Sequence, residues 1–125
     1  MTYLDTHIVV WLFEGRVKKL SREAAREIDK ADALLVSPAV ELELQYLFRR
    51  KRIPADATTI LSDLRARIGL GLCDLPFPLV SHQALALEWT EDVFDRLIVA
   101  QAAAAKSRLI TADALILQHY PKAIW

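Results

Sequence analysis

Thr2-Tyr3-Leu4-Asp5-Thr6-His7, running on through Ile8 and Trp11 to Glu14 before Gly15, reads as a strand that turns directly into a helix. The strand part, Thr2–Asp5, joins a β-branched, an aromatic and an aliphatic residue to an acid, and the part beyond is an apolar helical stretch that glycine stops. The same alternation recurs down the chain. Ser21 caps a helix to about Lys30, where Glu23-Ala24-Ala25-Arg26-Glu27 is strongly helix-forming. Ala33–Ser37 is a second strand, and Pro38 at a first helical position opens a helix to about Lys51. Pro54 opens another, from Ala55 to about Arg67, ended by Gly69 and Gly71. Leu72–Leu75 is a short third strand broken by Pro76 and Pro78, and Ser81 caps a brief helix to about Glu88. Val93–Lys106 is a helix, Arg108–Thr111 a fourth strand, Asp113–Gln118 a short helix and Ala123–Trp125 an edge strand. Strands alternating with helices predict an α/β fold with a mainly parallel sheet. No repeat, low-complexity tract or long linker divides the chain, so residues 1–125 are expected to form one domain.

Four acids stand at or near the places where this chain enters its helices, each among residues that ought to be buried: Asp5, Glu43, Asp95 and Asp113. A carboxylate is rarely buried without a partner, because removing an ion from water is costly. Four of them converging repel one another, and a divalent cation relieves both penalties. Asp5 follows strand 1 and Asp113 follows strand 4. If those strands are neighbours, both acids project into the crevice beyond the carboxyl ends of the strands, where ligands collect in such folds. Taken alone, each is better read as a helix N-cap, but two strand-to-helix junctions both choose Asp although Thr6 could cap the first.

Glu43 is more telling. At about 100° per residue it projects into the middle of an apolar arc made by Ala39, Val40, Leu44, Tyr46 and Leu47, whereas Glu41 joins the polar side. Asp95 lies in the first turn of a helix that is apolar nearly all round, on the side of Ile98, Val99 and Ala102. Asp92, three residues earlier, is its natural N-cap, with Asp95 partly completing a capping box, so Asp92 takes a structural or supporting role. The three histidines show no ligand spacing, and His7 is expected to pack or hydrogen-bond locally. One cysteine and no histidine pair exclude a Cys/His zinc site, and all-oxygen ligation suits Mg²⁺ or Mn²⁺.

Composition sets the outer bounds. The single Cys73 rules out an internal disulfide and suits a reducing cytoplasm. Asp5 interrupts the first apolar run, so no leader is read there, and no tract of about 18 apolar residues spans a membrane. Formal net charge is zero, which gives no support for a general nucleic-acid surface but permits a nuclease that recognises its substrate locally. The dense cluster Arg49-Arg50-Lys51-Arg52 reads as a solvated helix end. A hydrophobic fraction of 54% and a mean hydropathy of +0.21 are rich for a chain this small, consistent with a well-filled core or with surface covered by a second subunit or a partner.

At these residues the chain resembles the PIN-domain family, and within it the VapC-like toxins of toxin–antitoxin modules. Leu4-Asp5-Thr6-His7 with Trp11-Leu12 matches the family's opening strand and helix, and Ser37 with Glu43 its second motif. Trp89-Thr90-Glu91-Asp92-Val93-Phe94-Asp95-Arg96-Leu97-Ile98 followed by Ala100-Gln101-Ala102 is similar to the third, and Leu109-Ile110-Thr111-Ala112-Asp113 to the fourth. Glu91 and Val93 stand where close relatives often carry a basic residue and a proline, and Leu42 where a tryptophan or other large residue is usual. The resemblance implies an α/β/α sandwich with a four- to five-stranded sheet and Mg²⁺- or Mn²⁺-dependent hydrolysis of RNA phosphodiesters. It also implies a homodimer, and for the toxins a small antitoxin that occupies the acidic groove. On this reading Asp5, Glu43, Asp95 and Asp113 hold the metal. Thr111 orients a ligand or the phosphate, and Arg96 either meets phosphate or forms an ion pair. A phosphatase of the haloacid dehalogenase type would want an acid where His7 stands, and a response-regulator receiver would want a phosphoacceptor after strand 3. The remaining alternative is a non-catalytic PIN-like module that binds RNA or protein.

Overall fold

A computed structural model describes residues 1–125 and holds a five-stranded sheet in the order β3-β2-β1-β4-β5, with every neighbouring pair parallel. The strands are β1 (Thr2–Leu4), β2 (Leu34–Val36), β3 (Gly71–Leu72), β4 (Arg108–Ile110) and β5 (Ala123–Ile124). The helices are α1 (Thr6–Phe13), α2 (Arg22–Lys30), α3 (Pro38–Arg49), α4 (Ala57–Ile68), α5 (Phe77–Ala84), α6 (Val93–Ala104) and α7 (Ala114–His119). This is the expected α/β/α architecture. Parallel strands need helical crossovers, and helices on both faces bury the sheet, which is why its strands are mostly apolar, with Thr2 and Arg108 at strand starts.

The order matters for the site. The chain builds β1, β2 and β3 in one direction, then crosses back through α5 and α6 to place β4 on the other side of β1. The sheet therefore reverses between β1 and β4, where Leu4 pairs with Ile110. Leu4, Leu109 and Ile110 are fully buried there beneath Ile8, Val9, Ile98 and Ile116. Around this core α1 packs on α4, and α3 on both α4 and α6.

Several boundaries differ from the expectation. Pro54 does not open α4: Asp56 caps it, its carboxylate accepting from the Thr59 amide at 2.8 Å. Pro76 and Pro78 do not merely break a strand, and Ser81 caps nothing. The fixed φ of proline suits a first helical turn, so α5 begins at Phe77 and Ser81 lies inside it. Gly71 does not end a helix but sits in β3, where an added Cβ would meet Leu35 Cδ2 at 3.0 Å. Gly69 alone ends α4, at φ +71°. A one-turn 3₁₀ segment, Val17–Lys19, lies where no element was expected.

Candidate active site

Four separate elements deliver the four acids to one cavity of about 360 Å³, whose wall includes Asp5, Glu43, Asp95 and Asp113. Asp5 ends β1, Asp113 follows β4, Glu43 sits mid-way along α3 and Asp95 in the first turn of α6. Because β1 and β4 are neighbours, the first two project from the reversal point of the sheet.

Asp5 is the most deeply set of the four, 3% exposed. Its Oδ1 accepts from the Thr6 amide at 2.8 Å and its Oδ2 from the hydroxyl of Thr111 at 2.7 Å. Thr111, completely buried, in turn accepts from the Asp113 amide at 3.0 Å. One hydroxyl thus bridges the Asp5 carboxylate to the backbone of Asp113. Asp113 caps α7 through Oδ1 on the Ile116 amide, leaving Oδ2 free. Glu43, half-buried, accepts through Oε1 from the Thr6 hydroxyl at 2.5 Å.

Asp92 caps α6 as expected, accepting from the Asp95 amide at 3.0 Å. The capping box is not completed by Asp95, however. The Asp92 amide goes instead to the Thr90 hydroxyl at 3.2 Å. That substitution releases the Asp95 carboxylate, which accepts no hydrogen bond from the protein and faces the cavity. Burial and then the charges of Asp92, Asp5, Asp113 and Glu43 push its pKa up to about 7 from 3.8. Burial raises Glu43 as well, with the charges of Asp5 and Asp92 adding to it and the Thr6 hydrogen bond opposing. No cation is among the causes in either case, so the acids are brought together without being neutralised by the protein.

The other candidates fall into place around them. His7 Nε2 accepts from the Ala112 amide at 2.8 Å, so its neutral form carries the proton on Nδ1, 3.8 Å from Asp5 Oδ2. Arg96 donates through Nε to the Leu87 carbonyl at 2.8 Å and forms no ion pair, so it braces the loop before α6. Trp89 packs against the core and stacks on His119, 5.0 Å between ring centroids. Two side chains were missed. Trp11 forms part of the cavity wall, held between His7 and Trp125, and Arg52 lines it from the basic cluster. The heptapeptide around Trp11 reads as plain apolar helix, and nothing in the cluster's sequence singles out Arg52.

The donor set is all oxygen, as a hard divalent cation requires, and an unpaired half-buried carboxylate faces its centre. No three His, Cys, Asp or Glu side chains stand in ready ligating geometry, so binding would draw the carboxylates inward. A larger open groove of about 870 Å³ lies at the other end of the strands, but its charges are mostly spent on structure. Buried Glu27 there takes Arg108 at 2.8 Å through both oxygens and Lys30 at 2.9 Å, and Asp32 takes the terminal ammonium. The acidic cavity is the smaller hollow and the one with unsatisfied charge.

The fold recurs in three solved assemblies. A toxin–antitoxin complex from Klebsiella pneumoniae superposes with a TM-score of 0.67 at 17% identity, covering 100% of this chain and 97% of that one. VapBC-1 from nontypeable Haemophilus influenzae gives 0.65 at 19%, covering 100% and 96%. VapBC2 from Rickettsia felis, bound to a DNA fragment from its promoter, gives 0.61 at 19%, covering 99% and 96%. No protein of curated function matches the sequence. The sequence profile of the PIN domain matches residues 2–122, nearly the whole length, and the chain belongs to the PIN-domain family.

Proposed function

We propose that the chain acts as one domain, residues 1–125, and is a Mg²⁺- or Mn²⁺-dependent endoribonuclease, the cytoplasmic toxin of a toxin–antitoxin pair. One observation carries the reading: four carboxylates from four elements line one cavity, and no lysine or arginine forms an ion pair with any of them. Asp5, Glu43, Asp95 and Asp113 would hold the metal directly or through water. When bound, the metal lowers the pKa of a water and offsets charge developing on the phosphate. The chain's own groups do the rest. Thr111 and the Thr6 amide fix Asp5, and the Thr6 hydroxyl fixes Glu43, so these two are held against rotation before any ligand arrives, while Asp95 stays free to turn toward it. A carboxylate of the set would take the proton from that water.

The likeness to solved toxin–antitoxin assemblies supports an antitoxin as the partner, and the family resemblance would seat it over the acidic cavity. Exposed Leu42, Phe77, Leu79 and Leu85 support a homodimer. Incubation of single-stranded RNA with the purified chain in Mg²⁺ and in EDTA tests the activity. Cleavage is expected in Mg²⁺ only, and Asp5→Asn should abolish it while leaving the circular dichroism spectrum unchanged. Full cleavage by Asp5→Asn rules the site out. A second reading is a non-catalytic module that binds RNA or protein. A melting temperature raised by Mg²⁺ without cleavage of any RNA selects that reading instead.

A further inference from the structure

We propose that Arg52 is the phosphate-binding side chain of this cavity, the group that seats an RNA backbone phosphate against the carboxylates. The inference rests on the nuclease reading and adds to it the residue that admits a polyanion to an acidic site. A cavity lined by four carboxylates repels RNA, and a cation of the protein at its wall would lower that barrier to an entering phosphate. Arg52 is the only lysine or arginine lining it.

The end of α3 fixes its backbone beside the cavity. The last turn of α3 ends in a Schellman motif, with the Lys51 amide donating to the Phe48 carbonyl at 2.9 Å and the Arg52 amide to the Leu47 carbonyl at 3.0 Å. Lys51 takes the left-handed conformation, φ +59°, that this closure needs. The reversal carries Arg52, followed by Ile53, to the cavity wall beside Leu47. The rest of the cluster goes elsewhere: Arg49 and Arg50 line a neighbouring groove, Arg50 with its guanidinium 5.3 Å over the Tyr46 ring.

Arg52 is also free. It forms no ion pair with any acid of the set and no side-chain hydrogen bond, although carboxylates share its cavity. An exposed guanidinium engaged by nothing in the protein keeps its planar fork for a ligand, and phosphate matches that fork with two parallel hydrogen bonds.

Two measurements on the intact chain test this. In the first, kcat/KM for a labelled single-stranded RNA in Mg²⁺ is compared across Arg52→Gln, Arg52→Lys and, as controls from the same cluster, Arg49→Gln and Arg50→Gln. In the second, the Asp5→Asn background holds the RNA uncut and fluorescence anisotropy gives its affinity against salt. Arg52→Gln should weaken binding about tenfold and flatten the log–log salt dependence by about one phosphate contact, with Arg52→Lys recovering part of the loss. The Mg²⁺-induced rise in melting temperature should persist in Arg52→Gln, which separates a phosphate contact from a damaged metal site. Equal losses from Arg49→Gln and Arg52→Gln overturn the assignment in favour of a diffuse basic patch, and so does an unchanged affinity. RNA that binds through Arg52 but is never cut by the wild-type chain leaves the contact standing and sinks the nuclease.

Discussion

Asp5 and Thr111 show how much of the site turns on single atoms. The Thr111 hydroxyl joins the Asp5 carboxylate to the Asp113 amide, and it is completely buried. Thr111→Val keeps its shape and removes that link, so RNA cleavage should fall about 10- to 100-fold, the loss usual when a ligand's supporting hydrogen bond is removed. The change is measured as kcat/KM across a Mg²⁺ titration. Unaltered metal dependence would show that Asp5 does not need the hydroxyl. Asp95 makes a different demand. The unfolded chain releases its proton near 3.8, whereas the folded chain keeps it to about 7. Between those values the folded state binds the extra proton, so its contribution makes stability fall as pH rises through that window and level off above it. Burial raises Glu43 in the same sense. The melting temperature in EDTA, wild type minus Asp95→Asn, should therefore decline from about pH 4 to about pH 7. Saturating Mg²⁺ should erase the slope, because the cation replaces the proton. A difference that rises with pH contradicts the placement of Asp95 among like charges.

At the scale of elements, the ends of helices decide where the site's walls stand. Lys51 occupies a left-handed position that glycine adopts freely, so Lys51→Gly should stabilise the fold by about 1 kcal/mol, read as a raised urea midpoint at constant slope. A lowered midpoint would mean that the lysine side chain contributes something the backbone geometry does not show. The same turn marks the limit of what the sequence discloses. The alternation of strands and helices is local, so the sheet and the helices that carry the four acids are legible from spacing alone. Glu43 stood out because helical periodicity set a charge inside an apolar arc. Arg52 did not, because its approach to the cavity follows from a Schellman closure with no glycine to announce it. Thr90 is a similar case: it relieves Asp95 of the capping box by accepting the Asp92 amide, a swap of partners invisible to a pattern of spacings. Pro76 and Pro78 misled for the opposite reason, since proline both ends strands and begins helices, and only the packing of α5 on α6 settles which.

For the whole molecule, the open question is what covers its apolar surface. Scattered exposed aliphatics are ordinary, but these are not scattered. Leu42 on α3, 63% exposed, and Phe77 on α5, 65% exposed, line one groove of about 240 Å³ together with Pro38, Leu75, Val80 and Leu97. Leu42 lies next to Glu43 in the helix yet points away from the acidic cavity, so an interface there leaves the cavity open to substrate. A pair of identical chains meeting through such a patch is self-complementary, each Leu42 facing the partner's groove, and the interface closes after two copies. A stable one needs roughly 800 Å² from each chain, more than a single leucine supplies, so Phe77 and the rest of the groove belong in the argument. Light scattering on the purified protein should then give twice 14.1 kDa. Leu42→Glu, which forces two carboxylates into the same apolar seam, should return it to a monomer whose melting temperature still rises with Mg²⁺, because the carboxylates come from one chain. A wild-type monomer at micromolar concentration removes the homodimer and leaves the groove to a different partner. A dimer that survives Leu42→Glu moves the interface elsewhere on the molecule.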